Sequence, residues 1–147
     1  MKDCLEVLKA LADPNRLRVF WLLARIDERI CVAEAMDVLG ESHYNASRIL
    51  KSLKQAGLVT AEREGKWVFY SLPAPLAGSF HAHLLKAIQA IPAENFSEEI
   101  KRCQLRLGMR EHGECIVGAD SDAWRNVSTQ AQTKRKPAAR KRRTEVV

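Results

Sequence analysis

VAEAMDVLGESHYNASRILKSLKQAGLVTAEREGKWVFYSL, residues 32–72, places two helical patterns, a glycine turn and a hairpin in direct succession. Val32 to Leu39 reads as a short helix stopped by Gly40, since glycine accepts the left-handed backbone that closes a helix. Ser42 can cap the next helix, His43 to Ala56, which Gly57 closes. Within it Ala46, Ile49, Leu50 and Leu53 recur at helical spacing and form one stripe to bury. Tyr44, Asn45, Ser47, Arg48 and Lys51 are left on an outward face that is polar, basic and aromatic. Leu58-Val59-Thr60-Ala61 then begins one strand and Trp67 to Leu72 forms another, with Glu64-Gly65-Lys66 as the tight turn. A short helix, a glycine turn and a second helix with a polar outer face make a helix-turn-helix, and the hairpin adds a wing.

Upstream, Leu5, Leu8 and Leu11 mark a first helix ending near Ala12, and Asp13-Pro14 reads as a cap followed by proline at the first helical position. Arg16 to Arg25 is apolar on several sides, so this second helix belongs in the centre, and Ile26 to Ile30 reads as a polar connector. Downstream, Pro73 and Pro75 end the strand, and two helices follow, about Ser79 to Ile91 and Ser97 to Leu107. Ser97 is the expected cap of the latter and Gly108 its stop. The expected fold class is mainly α, an α+β winged helix occupying residues 1–117, with a basic, disordered tail over 118–147.

Charge location says more than charge total. The chain of 147 residues has a formal net charge of +6. Residues 1–120 hold 16 Lys/Arg against 16 Asp/Glu, whereas residues 121–147 hold 8 against 2. A neutral body with a basic tail implies an anionic partner. No run approaches the roughly 18 apolar residues of a membrane span, so no membrane partner is expected. The opening Met1-Lys2-Asp3-Cys4-Leu5-Glu6 lacks the apolar region of a signal peptide. Four cysteines, at 4, 31, 103 and 115, are therefore expected to be reduced thiols in a cytosol rather than a disulfide framework.

A recognition helix reads base edges with its N-terminal residues. Here those are His43, Tyr44, Asn45, Ser47 and Arg48. Arg48 can bond guanine through two donors or clamp a phosphate, and Asn45 can pair with adenine. Ser47 and Lys51 suit phosphate contacts, and Arg63 to Lys66 at the hairpin tip suit the flanking backbone or minor groove. No glycine-rich phosphate loop, catalytic metal motif or nucleophile elbow is present, so an enzyme is not expected. A winged helix used only for protein contact is the rival class, and the basic recognition face argues against it.

Several words resemble the ArsR/SmtB family of metal- and metalloid-responsive repressors over roughly residues 3–115. They are Leu11-Ala12-Asp13-Pro14-Asn15-Arg16-Leu17-Arg18, Ser47-Arg48, Leu53-Lys54-Gln55-Ala56-Gly57-Leu58-Val59, and Glu64 to Leu72 in the wing. Gly40-Glu41-Ser42-His43-Tyr44 looks most like the arsenic-responsive branch. The resemblance implies a homodimer joined by its first and last helices, and a repressor that leaves its operator when an inducer binds. The apolar faces of Asp3–Ala12 and Ser79–Leu107 exceed what so small a body could bury alone, which fits. Two-fold symmetry then implies an inverted-repeat operator, its half-sites about one helical turn apart.

For the inducer, the arsenic branch usually carries Cys-Val-Cys at the start of the third helix. This chain has Cys31-Val32-Ala33, so other thiols must complete a site. Trivalent arsenic and antimony favour soft thiolates, making arsenite or antimonite the candidate inducer with no obligatory cofactor. Cys31 and Cys115 rank first, Cys103 second and Cys4 third. Cys31 sits at a helix N-terminus, where the macrodipole favours the thiolate. A dithiol sensing oxidants or reactive sulfur is the alternative, and a repressor without an inducer is another. A zinc-type site starting from His81 and His83 would need Glu94 and Ser97, and serine is a poor ligand.

Overall fold

The computed structural model describes residues 1–133, and Thr133 is the last of them. Seven α-helices and one three-stranded sheet follow in chain order: α1 (Lys2–Leu11), α2 (Pro14–Ile26), β1 (Ile30–Cys31), α3 (Val32–Leu39), α4 (His43–Gln55), β2 (Thr60–Glu64), β3 (Trp67–Ser71), α5 (Phe80–Gln89), α6 (Ser97–Leu107) and α7 (Asp122–Thr133). The caps of α2, α3 and α4 include those the sequence marks at Asp13, Gly40 and Ser42. Asp13 accepts from the amides of Asn15 and Arg16 at 3.0 Å each, and Ser42 accepts from Asn45 at 3.2 Å. Gly40 closes α3 with a φ of 68°, which a side chain would strain.

The core gathers where α2 crosses the others. Val19, Phe20 and Leu23 of α2 pack with Val7 and Leu11 of α1, Leu50 and Leu53 of α4, and Tyr70 of β3. Burial of a Leu or Phe side chain stabilises by about 1.5–3 kcal/mol, so the stripe of α4 is what fixes its outer face toward solvent. A second cluster lies on the other side of α2, where Trp21 stacks on Phe96 with ring centroids 4.4 Å apart.

Several expectations need correcting. The connector before α3 ends in a strand: Ile30 pairs with Tyr70 and Cys31 with Phe69, giving the order β1-β3-β2. Two residues carry no readable periodicity, so only the partner strand reveals it. Leu58 and Val59 are core residues, and the first wing strand starts at Thr60. Ser97 is not a cap; α6 is entered through a 3-10 turn over Ala93–Phe96, so Ser97 already lies within the helix. The apolar side of α6 packs on α2 and α3 of its own chain, with Ile100 and Leu107 only partly buried there. Past Gly118, where a disordered tail was expected, α7 docks on α6, with Trp124 buried under Arg102, whose guanidinium lies 5.7 Å from the ring centroid. A single buried tryptophan anchors that helix, which an apolar-periodicity reading does not detect. The basic run after Thr133 lies outside the described residues.

Candidate DNA-reading surface and thiol site

The N-terminal half of α4 presents the expected face. His43, Tyr44, Asn45, Arg48 and Lys51 are exposed and Ser47 is half-buried, because Ala46, Ile49 and Leu50 take the inward positions. Arg48 rests over the Tyr44 ring at 5.4 Å, and the Asn45 amide donates to Glu41 at 3.0 Å. Both contacts restrict the rotamers of these exposed side chains. Beside them, Asn15, Arg16, Asn45, Arg48 and Ser52 line a polar cleft of about 240 Å³ between the start of α2 and α4. At the hairpin tip Arg63 folds back onto the Gly65 carbonyl at 3.2 Å, and Lys66 sits 4.9 Å from the centroid of the Trp67 ring.

The thiols converge elsewhere. Cys31 ends β1 and caps α3, and Cys115 follows a tight turn in which Glu111 and Glu114 exchange both backbone bonds, at 3.1 and 2.8 Å. His112 and Gly113, the two residues inside that turn, have φ of 51° and 76°. Such a turn needs two left-handed residues, a geometry that glycine adopts freely. The two sulfurs lie 3.7 Å apart, both buried, 84 residues apart in sequence. Phe69 and Ala33 share their cluster.

Glu34 completes the group. Among the described residues, Cys31, Glu34 and Cys115 bring three ligand-capable atoms within 4.8 Å of one another. The carboxylate is already committed. Arg110 forks onto it at 2.8 and 2.7 Å, and the Cys31 amide donates to it at 3.3 Å. With its oxygens engaged and its charge matched by Arg110, Glu34 braces the thiols rather than offering an open ligand.

Burial sets the thiol chemistry. Loss of hydration, then the nearby Glu34 charge, pushes the Cys31 thiol up to about 12. The same two causes raise Cys115. The helix dipole expected to favour the Cys31 thiolate is outweighed by these, and that expectation is corrected. Cys103 is raised to about 11, chiefly by burial, but packs with Trp21, Leu22, Val38 and Phe96 in a separate cluster. The structure therefore does not bring Cys103 to the pair. Cys4 lies half-buried on α1. His81 stands edge-on to Phe80 at 5.8 Å, and neither His81 nor His83 gathers with Glu94 into a ligand group among the described residues.

Sequence reasoning missed Glu34 and Arg110. Glu34 could have been marked as the third helical residue after Cys31, the usual carboxylate of a capping pair. Arg110 carried no signal, because its partners are set by tertiary packing alone.

A helix-turn-helix followed at once by a hairpin, with a basic aromatic helix face, defines a winged helix-turn-helix DNA-binding protein. Comparison with known proteins agrees: residues 11–62 match a family model described as a helix-turn-helix domain. An arsenic resistance transcriptional regulator, ArsR2 of Pseudomonas putida, is 36% identical over 85 residues, spanning 58% of this chain and 73% of that protein. The arsenical resistance operon repressor of Escherichia coli is 37% identical over 68 residues, 46% of this chain and 57% of its own length. The solved homodimeric winged helix-turn-helix domain Mb0332 of Mycobacterium bovis, described as a possible ArsR-family regulator, superposes with a TM-score of 0.51 at 33% identity, covering 61% and 78% of the two chains. This chain belongs to the ArsR family of transcriptional repressors, which are regulators and not enzymes. No helix among the described residues is long and apolar enough to cross a membrane.

Proposed function

We propose that the protein is a homodimeric operator-binding repressor that releases DNA when Cys31 and Cys115 bind trivalent arsenic or antimony. The observation that carries this is the pair of buried sulfurs 3.7 Å apart, one of them, Cys31, on a strand that is hydrogen-bonded into the wing. Arsenite is a neutral trihydroxide at neutral pH and suits thiols that burial keeps protonated. Two As–O bonds break, two As–S bonds form, and each thiol proton leaves with a hydroxide as water. No net charge enters the buried site, whereas a divalent cation would have to expel two protons from thiols that burial raises above their ordinary value. The names of the arsenic-resistance relatives favour the same inducer.

Contact between the sulfurs also suits disulfide formation, which is the second reading. The thiolate is the species that oxidants attack, so raised thiol pKa values weigh toward the metalloid. Operator contacts are assigned to His43, Tyr44, Asn45, Ser47, Arg48 and Lys51, with Arg63 and Lys66 on the flanking backbone. Dimerisation is supported by Leu5 and Leu8, exposed on α1, and by α5, which has no buried residue. Phe20, Leu58, Leu72, Leu76 and Leu85 line an open apolar cavity of about 290 Å³ beside α5, as expected of a surface awaiting a mate. A two-fold dimer would read an inverted repeat. The protein is expected to act in the cytoplasm, and its four thiols are free.

The test is fluorescence anisotropy of the reduced protein on DNA from upstream of its own gene, titrated with arsenite. Release at one arsenic per subunit, lost in Cys31→Ser and Cys115→Ser and kept in Cys103→Ser, supports the reading. Tight binding that ignores arsenite but responds to an oxidant selects the disulfide reading, and no salt-sensitive duplex binding at all refutes both.

A further inference from the structure

Arg29 directly precedes β1, two residues before Cys31, and reaches the wing with its side chain. Its guanidinium forks onto Glu64, the last residue of β2, at 2.6 and 2.7 Å. The same group lies 4.1 Å from the centroid of Phe69, the β3 residue that pairs with Cys31. Its carbonyl accepts from Arg110 at 2.6 Å. Arg110 also holds Glu34 through two bonds and reaches Glu28 at 3.1 Å. A continuous set of charge-assisted bonds therefore runs from Cys31 and its bracing carboxylate, through Arg110 and Arg29, to the residue adjoining the hairpin tip.

We propose that Arg29 is a positioning residue that couples occupancy of the Cys31–Cys115 pair to the set of the wing, acting through Glu64. Drawing the sulfurs onto one arsenic shifts Cys31, and with it the backbone that carries Arg29 two residues earlier. Arg29 can then keep its fork on Glu64 only if the β2–β3 hairpin moves with it, which displaces Arg63 and Lys66. An exposed ion pair of this kind adds little to stability, yet its two-point geometry makes it directional. Its use as a strap explains why a rigid fork and a ring contact are built on a surface where a lone charge would suffice for solubility. The proposal rests on the thiol pair being the sensing site, but not on arsenite being the natural inducer.

Phenylarsine oxide is a suitable probe because it condenses with two neighbouring thiols whatever the physiological signal. Its As–O bond is replaced by two As–S bonds, and the two thiol protons leave with the oxygen as water. Amide hydrogen exchange over residues 60–71 is followed with and without the probe in wild type, Arg29→Gln, Glu64→Gln and the double variant, while mass spectrometry confirms one adduct per chain. In wild type the probe should change wing exchange by about threefold or more, the scale of one two-point ion pair. Each single variant should lose most of that response, and the double variant should lose no more than either one, since the pair acts as a unit. Glu64→Gln guards against Arg29 acting merely as a phosphate contact, because a carboxylate cannot be one.

A full wing response in Arg29→Gln, additive losses, or an unresponsive wild-type wing overturns the proposal. So does failure of Cys31 and Cys115 to take up the probe. DNA release is recorded in the same samples. A wing that responds while arsenite leaves DNA bound would overturn the metalloid reading and leave the strap standing.

Discussion

Substituting Asp37→Asn tests the lock that holds the Cys115 segment against α3. Asp37 and Arg106 are 4% and 1% exposed, and the Arg106 Nε donates to the carboxylate at 2.7 Å. The other carboxylate oxygen accepts from the Asp120 amide at 2.8 Å, and Arg106 donates onward to the Val117 carbonyl at 2.6 Å. At about 4 Å between charge centres and an effective dielectric near 20, the attraction is about 4 kcal/mol. Desolvation of two ions offsets most of it, so the pair contributes little net stability. Removing one charge is different, because Arg106 stays buried without its counter-ion, at a cost of about 3–5 kcal/mol. Asparagine still offers an oxygen to Asp120, which places the expected loss near the lower end, about 3 kcal/mol. Urea unfolding at one fixed protein concentration under reducing conditions measures it. Arg106→Gln should cost a similar amount, and the double variant should fall short of the sum by about 2 kcal/mol. The same lock steadies Val117 to Asp120, so Asp37→Asn should also speed labelling of Cys115 by a disulfide reagent. A loss below about 1 kcal/mol, or singles that simply add, would refute the reasoning.

Three further outcomes are expected. Arg48→Ala should weaken operator binding by about 1–3 kcal/mol with unfolding unchanged, read by anisotropy beside a urea melt. Alkylation of Cys31 in the folded protein should rise with pH toward about 12. The linked stability is full below the ordinary thiol value, near 9, and is lost as pH climbs from there through the folded value, since the unfolded chain gives up its proton first. A half-maximal alkylation rate near the ordinary value would contradict the burial argument. Deleting residues 134–147, which carry seven Lys/Arg and one Glu, should lower the salt dependence of DNA binding while sparing its sequence preference. An unchanged slope would mean that the run does not touch DNA.

Much of the fold was legible because its signals are local. Asp13, Ser42, Gly40 and the spacing of Ala46, Ile49, Leu50 and Leu53 act within a few residues, so caps, helix bounds and the outward face of α4 follow from them directly. The short β1 strand and the docked α7 were not legible. One exists only by pairing with β3, and the other is held chiefly through Trp124 against α6.

The sequence by itself determined the order of a winged helix-turn-helix and which side of α4 faces outward, since periodicity and capping decide both without distant partners; the ArsR family came from the resemblance of its words. Only the tertiary structure decided that Cys31 meets Cys115 and not Cys103, that Arg110 occupies Glu34, and that burial raises both thiols of the pair. Those outcomes depend on which groups are brought together across 76 to 84 residues of chain and how completely water is removed around them. Spacing along a chain encodes neither.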